Sequence, residues 1–210
     1  MPPLDPEEIR LYRGAEDLPP QLWDDLARRP PELAAQAVDG RWEGGRFSVA
    51  LLGCEYLLDP VARRVWPVSD PERPVGFQTA MVLVTALANS QGVPPSGRMV
   101  TPPELPGGRF FFTGPHAVPS DEVARRFGDD PQGLLAAARR LGGEPWEGVA
   151  PVAVKLPGLP VLPLYVLLWG REDDQPPRAV LGLDDRACFH LALDGIWALL
   201  NVLVRRLGEG

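Results

Sequence analysis

The spacing of apolar and polar positions divides the chain into segments of different period. Residues 19–38 carry apolar side chains at helical spacing, interrupted by Pro30 and Pro31, which predicts two short helices that meet there. From residue 46 the pattern changes to short runs rich in β-branched and aromatic residues, separated by Gly53 and by the turn at Asp59-Pro60. These runs predict a small antiparallel meander, with strands at residues 47–52, 54–58 and 64–68.

The remaining segments mix helical and extended patterns. Residues 74–91 are apolar on nearly every face, which is typical of a helix at the centre of a core. Two further helices are predicted at residues 121–127, with Ser120 as the N-cap, and at residues 132–141, begun by Asp130-Pro131. A closing helix is predicted at residues 193–207, and strands at residues 109–112, 150–156, 162–169 and 178–183.

Runs of strands with helices grouped between them are typical of an α+β fold. We therefore expect a single α+β domain over residues 1–210, in which antiparallel sheet segments pack against several helices. Its first 18 residues form a Pro-rich N-terminal segment.

Composition and charge indicate which classes of protein and of partner the chain fits. The 26 Pro and 22 Gly among 210 residues are scattered between apolar segments, which indicates a folded chain with stiff connections. The formal net charge is −7, and the arginine pairs are dispersed among acids, so we expect no nucleic-acid partner. The acidic N-terminus is unlike a signal peptide, and no apolar run reaches the roughly 18–20 residues that span a bilayer. We expect a cytoplasmic protein without a membrane partner.

The cysteines and histidines are few. Cys54 and Cys188 are too far apart for a CxxC motif and are interpreted as small buried hydrophobes. Imidazole is the commonest metal ligand in proteins. His116 lies in a loop after aromatic residues and is the better candidate ligand, while His190 precedes the closing helix. The alternative for both histidines is a structural role.

Carboxylates offer a second kind of chemistry. Glu104 lies in a stiff loop of prolines and glycines, which suits either a ligand contact or a simple turn. Asp129 and Asp130 are adjacent at a helix start, where they can share a proton, bind a hard cation or cap the helix. Nucleophile motifs and Gly-rich phosphate loops are missing from the sequence. The similar aspartate pairs at residues 173–174 and 184–185 are interpreted as turns.

A series of short motifs in fixed order resembles a known family. The motifs lie at residues 96–100, 104–108, 125–130, 141–143, 160–164, 166–170 and 183–191. Their order is similar to the bacterial and archaeal domain-of-unknown-function family numbered 3786, best over residues 76–207. The resemblance implies no established activity. It does imply an association with iron–sulfur modules and with corrinoid or one-carbon proteins. Two cysteines cannot hold a four-cysteine cluster, so an iron–sulfur role would belong to a partner protein.

The leading hypothesis is a non-catalytic binding or accessory protein linked to metallo-cofactor or one-carbon metabolism. It would hold a tetrapyrrole, haem or corrinoid, with His116 as the metal ligand. The aromatic wall would come from residues 110–112, Trp146, Trp169 and Trp197. Its cofactor-binding residues are predicted to be His116, Glu104, Phe111 and His190.

Two alternatives remain open. A carboxylate-dependent enzyme requires Glu104 and Asp129 or Asp130 to converge in one cleft, where burial raises a pKa. A protein-interaction module without a ligand is suggested by the closing helix, which has more apolar residues than one face needs. We therefore expect Trp197 or Val204 to be covered by the N-terminal segment, or by a second subunit in a homo-oligomer.

Overall fold

Two antiparallel sheets and seven α-helices form the part of the chain that the structure describes. The structure is a computed structural model that describes residues 14–172 and 175–209. The sheets and helices share one large hydrophobic core, which confirms the predicted α+β class.

The first sheet is the predicted meander with one additional strand at its edge. Its four strands are paired antiparallel in sequence order. The two-residue turn at Leu52 and Gly53 has positive φ angles of 49° and 71°, which suits the twist of a tight hairpin. The strands are β1 (Arg41–Glu43), β2 (Arg46–Leu51), β3 (Cys54–Asp59) and β4 (Arg64–Pro67).

The second sheet lies in the C-terminal half and is centred on a strand that is buried on both faces. Its strands are β5 (Met99–Val100), β6 (Glu144–Pro145), β7 (Val152–Leu159), β8 (Leu162–Trp169) and β9 (Arg178–Asp184). They are arranged in the order β5-β9-β8-β7-β6. On one face Tyr165 packs with Trp146, their ring centroids 4.6 Å apart. The short strands β5 and β6 were not predicted from the sequence.

The helices pack around the predicted central helix, α3. The α3 residues between Ala80 and Leu87 are mostly buried, and α3 packs on α1 and on α7. Pro20 and Pro31 each stand at the first position of a helix, where a missing N–H costs nothing. The helices are α1 (Pro20–Ala27), α2 (Pro31–Gln36), α3 (Phe77–Asn89), α4 (Gly108–Phe111), α5 (Ser120–Phe127), α6 (Pro131–Arg140) and α7 (Leu193–Gly208).

The N-caps of α5 and α6 test two sequence predictions. Asp130 caps α6, since its Oδ1 accepts a hydrogen bond of 2.9 Å from the Gly133 N–H. The predicted Ser120 cap is wrong, because Ser120 is already the first residue of α5 and Pro119 precedes it. Acids in the first turn and arginines in the last turn of α5 still match the helix dipole.

The predicted strand at residues 109–112 is also wrong, because residues 109–111 belong to α4 and Phe112 is its C-cap. Gly107 turns the chain with a φ of 77°. Gly108 then lies so close to the Pro102 carbonyl that a Cβ on it would be 2.1 Å from the oxygen. The glycines therefore fold the segment back into a helical turn, overriding the β propensity of the phenylalanines.

The apolar residues of α7 are buried within the chain itself. The helix packs on α3, α5 and α6, and Val204 is 8% exposed. Trp197 is half-buried and is covered by His116. Most of the N-terminal segment predicted to provide this cover lies outside the described residues, and its described end packs on α3 and β4. A homo-oligomer through α7 stays a prediction.

None of the helices in the described part of the chain combines the length and apolar character needed to cross a membrane.

Candidate functional site

A cavity of about 430 Å³ between α3, α7 and the segment after α4 contains His116. Its volume falls in the range of small-molecule sites, which is roughly 300–1,000 Å³. Three apolar side chains form its wall, and four polar side chains reach its edge. The wall consists of Phe77, Met81 and Trp197, and the polar residues are Gln78, His116, Asp194 and Arg205; we call this space the His116 cavity.

Two aromatic contacts fix the position of His116. Its ring stacks on Phe111 with a centroid distance of 4.6 Å and meets the edge of Trp197 at 5.3 Å. The short helix α4 carries Phe111, and a 3-10 turn at Gly114–His116 carries the imidazole. The His116 N–H donates to the Thr113 carbonyl, which closes this turn. The structure thus brings together two of the four predicted cofactor-binding residues.

The imidazole of His116 is available for a further bond. The side chain is half-buried, and among the described residues its contacts are aromatic, with no hydrogen bond or ion pair to either ring nitrogen. A ring nitrogen that has no protein partner can coordinate a metal. No group of three or more metal-ligating side chains occurs in the described ranges. His116 would therefore suit a metal whose other ligands come from a cofactor.

His190 lies elsewhere, beyond the far end of α3. It is 1% exposed, and its Nδ1 lies 2.8 Å from the Ser90 hydroxyl. Its Nε2 is buried without a hydrogen-bond partner in the described chain. Ser90 and Met81, a wall residue of the His116 cavity, are separated by about 13 Å along the helix axis. The two histidines are therefore placed at different ends of α3.

The predicted carboxylates each take part in local hydrogen bonding. Glu104 is exposed and accepts hydrogen bonds of 2.6 Å from the backbone N–H and the hydroxyl of Thr101, which lower the pKa of Glu104. Asp129 is exposed and pairs with Arg171 at 2.7 Å, which lowers the pKa of Asp129. Asp130 caps α6. A general acid needs a raised pKa, so the lowered pKa values of Glu104 and Asp129 do not suit that role.

The three tryptophans predicted for the aromatic wall lie in two different places. Trp197 lines the His116 cavity, and packing alone holds its indole, because its Nε1 has no acceptor in the described chain. Trp146 and Trp169 pack instead with the small cluster around Tyr165 on the second sheet. Arg178 lies over the Trp169 ring at 4.1 Å from its centroid.

The family assignment rests on a direct comparison. A family model described as "Domain of unknown function (DUF3786)" matches residues 30–206. The chain belongs to this family. The match includes α2 and both sheets. It therefore begins closer to the N-terminus than the resemblance predicted from the sequence, which was best over residues 76–207. Comparison with curated proteins and with solved structures found no match.

Sequence reasoning missed an important polar residue of this DUF3786 domain. Asp184, interpreted as part of a turn, is fully buried at the end of β9. Its carboxylate accepts hydrogen bonds from the backbone N–H groups of Ser96, Gly97 and Arg186, and from the Ser96 hydroxyl. The motif at residues 96–100 and the motif at residues 183–191 are therefore joined through this carboxylate. The signal in the sequence was the repeated Asp pair, which could not show which aspartate is buried.

Two of the three wall residues of the His116 cavity were also missed as site residues, whereas Trp197 was predicted as part of the aromatic wall. Phe77 and Met81 were assigned to the core because they belong to the apolar helix α3. Arg205, near the end of α7, belongs to one of the dispersed arginine pairs. Local periodicity gives no signal for a cavity that three separate segments enclose.

Proposed function

We propose that this chain is a non-catalytic binding or accessory protein that holds a tetrapyrrole, either haem or a corrinoid, in the His116 cavity. The observation that carries the proposal is the imidazole of His116, which has no hydrogen-bond partner among the described residues and lies beside an apolar wall of two aromatic rings and a methionine. Large planar rings pack well against such a wall.

The donor set fits a tetrapyrrole better than a bare metal ion. A tetrapyrrole provides four nitrogen ligands to its metal, so a single histidine would be sufficient as the ligand from the protein. His116 would supply that ligand, and Phe111 stacks on the imidazole and fixes its plane. Arg205 lies at the edge of the cavity, where its guanidinium can pair with an acidic substituent on the ring.

A partner protein completes the proposed role in metallo-cofactor or one-carbon metabolism. The chain has two cysteines, and neither belongs to a metal-ligating group within the described residues. Iron–sulfur chemistry would therefore be supplied by the partner, while this chain binds the tetrapyrrole.

Visible absorption spectroscopy tests the proposal. Purified protein is titrated separately with haem and with cobalamin, and the thermal midpoint is recorded with each. We expect a shift of the absorption bands and a higher midpoint with one of the two. His116→Ala should abolish the band shift because it removes the proposed metal ligand.

Phe110→Ala provides a matched control. Phe110 adjoins Phe111 in α4 but is 87% exposed and does not line the cavity, so this variant should keep the spectral change. An unchanged spectrum and an unchanged midpoint with both compounds would refute tetrapyrrole binding. An equal band shift in His116→Ala would refute the role assigned to His116.

A further inference from the structure

A second cavity of about 280 Å³ adjoins the His116 cavity and shares Gly76 and Arg205 with it. It lies where β3 and β4 meet the N-terminal turn of α3 and the C-terminal end of α7. We call it the arginine pocket, because three arginines line it: Arg73, Arg205 and Arg206.

The arginine pocket concentrates positive charge in a chain that is acidic overall. Among the described residues, its lining contains three guanidinium groups and one carboxylate, that of Glu209, whereas the whole chain has a formal charge of −7. The Glu209 Oε2 atom lies 3.5 Å from both the Arg73 Nη2 and the Arg206 Nε atoms. One carboxylate therefore interacts with two cations and leaves an excess of positive charge in the pocket.

Two buried hydroxyl groups orient the guanidinium groups. Tyr56 and Thr79 are each 5% exposed. The Arg206 Nη1 atom lies 3.4 Å from the Tyr56 hydroxyl, and the Arg205 Nη2 atom lies 3.1 Å from the Thr79 hydroxyl. Guanidinium groups held in this way present their remaining N–H donors in a fixed fork, which matches the oxygens of a phosphate or carboxylate.

We infer that the arginine pocket binds the oxyanion group, phosphate or carboxylate, of a small molecule. Glu209 occupies part of this site as an internal carboxylate, and the ligand displaces it from Arg73 and Arg206. This inference goes beyond the proposed function. Arg205 lines both spaces, but Arg73 and Glu209, whose replacement tests the inference, do not line the His116 cavity.

The expectation of two buried cysteines is wrong, because Cys54 is partly exposed and Cys188 is exposed. Cys54 lines the pocket and reports on its occupancy. In a Cys188→Ser background, Cys54 is the sole thiol of the chain. Its alkylation rate is measured with inorganic phosphate, with citrate, and with potassium chloride at matched ionic strength. We expect phosphate or citrate to slow the alkylation and to raise the thermal midpoint relative to chloride. Which of the two anions protects distinguishes a phosphate site from a carboxylate site.

Three variants should change the protection of Cys54 by these anions in different directions. Arg73→Gln should weaken protection roughly tenfold, since it removes one charge-assisted hydrogen-bond donor at a partly exposed site. Glu209→Gln should strengthen protection, because it removes the competing carboxylate. Arg125→Gln makes the same change in net charge outside both cavities and should leave protection unchanged.

Arg73 is more than half exposed, so its replacement does not depend on tolerance in the core. Equal alkylation rates in phosphate, citrate and chloride would overturn the inference. Equal weakening by Arg73→Gln and Arg125→Gln would also overturn it, because the effect would then be general screening. Neither outcome involves the spectrum with haem or cobalamin, so this inference and the proposed function fail separately.

Discussion

Replacing Asp184 with asparagine tests the buried carboxylate that joins β9 to the loop before β5. The Oδ1 atom accepts hydrogen bonds of 3.1 Å from both the Ser96 and the Arg186 N–H groups, and the Oδ2 atom accepts one of 2.8 Å from the Gly97 N–H. In Asp184→Asn, an amide NH₂ group takes the place of one oxygen. At least one backbone N–H then faces another donor.

The expected loss of stability follows from these contacts. Losing a hydrogen bond to a charged group costs about 1.5–3 kcal/mol, and an unsatisfied buried donor remains. The bonds that survive also weaken, because their acceptor becomes neutral. We therefore expect the free energy of unfolding to fall by about 3 kcal/mol. For a chain of this size that corresponds to a decrease of roughly 6–12 °C in the melting temperature.

Urea denaturation followed by tryptophan fluorescence measures this loss. Asp185→Asn is the matched control, since it removes the same charge from a neighbouring residue that also binds Ser96. The Asp185 side chain is 29% exposed, so water can replace its partners, and we expect a change below about 1 kcal/mol. If Asp184→Asn unfolds within about 1 kcal/mol of the wild type, the argument from the buried hydrogen bonds is refuted.

Three further predictions concern the turn of the meander, the buried histidine and the cap of α6. Gly53→Ala should lower the unfolding free energy by about 1–3 kcal/mol more than Gly45→Ala in the same denaturation assay. Both glycines have positive φ, but a Cβ at Gly53 would lie 2.7 Å from a backbone oxygen, while one at Gly45 meets nothing within 4 Å; equal losses would contradict this. Burial lowers the pKa of His190 below its ordinary value of 6.5, so the unfolded chain takes up a proton that the folded chain does not. The stability that the neutral His190 contributes is therefore fully present above pH 6.5 and is lost as the pH drops below it. Melting temperatures of His190→Asn should not show this decrease at low pH. Asp130→Ala should lower the free energy of unfolding, measured by calorimetry, by about 1 kcal/mol because α6 loses its N-cap. Asp129→Ala is the control: it removes only an exposed ion pair, so its loss should be smaller.

Local sequence determined most of the helices and strands. Pro30 separates α1 from α2, and the apolar period of residues 74–91 encodes α3, because these signals act over a single turn or element. The hairpin of β2 and β3 follows from its β-branched and aromatic residues and from Gly53 at the turn. The Asp130 cap was predictable for the same reason, since its acceptor and its donor lie three residues apart.

The candidate sites were decided by tertiary structure. His116 meets Trp197 only when the turn after α4 packs against α7, and Arg73 joins Arg205 and Arg206 only at the end of the same helix. The sequence showed dispersed arginines, because charges far apart in the chain carry no sign of their final distance. Asp184 is likewise buried because the loop at Ser96 and Gly97 closes over it and supplies the N–H groups that a buried carboxylate requires. Each of these contacts joins residues from separate elements, so packing, and not local periodicity, determined which side chains meet at the candidate sites.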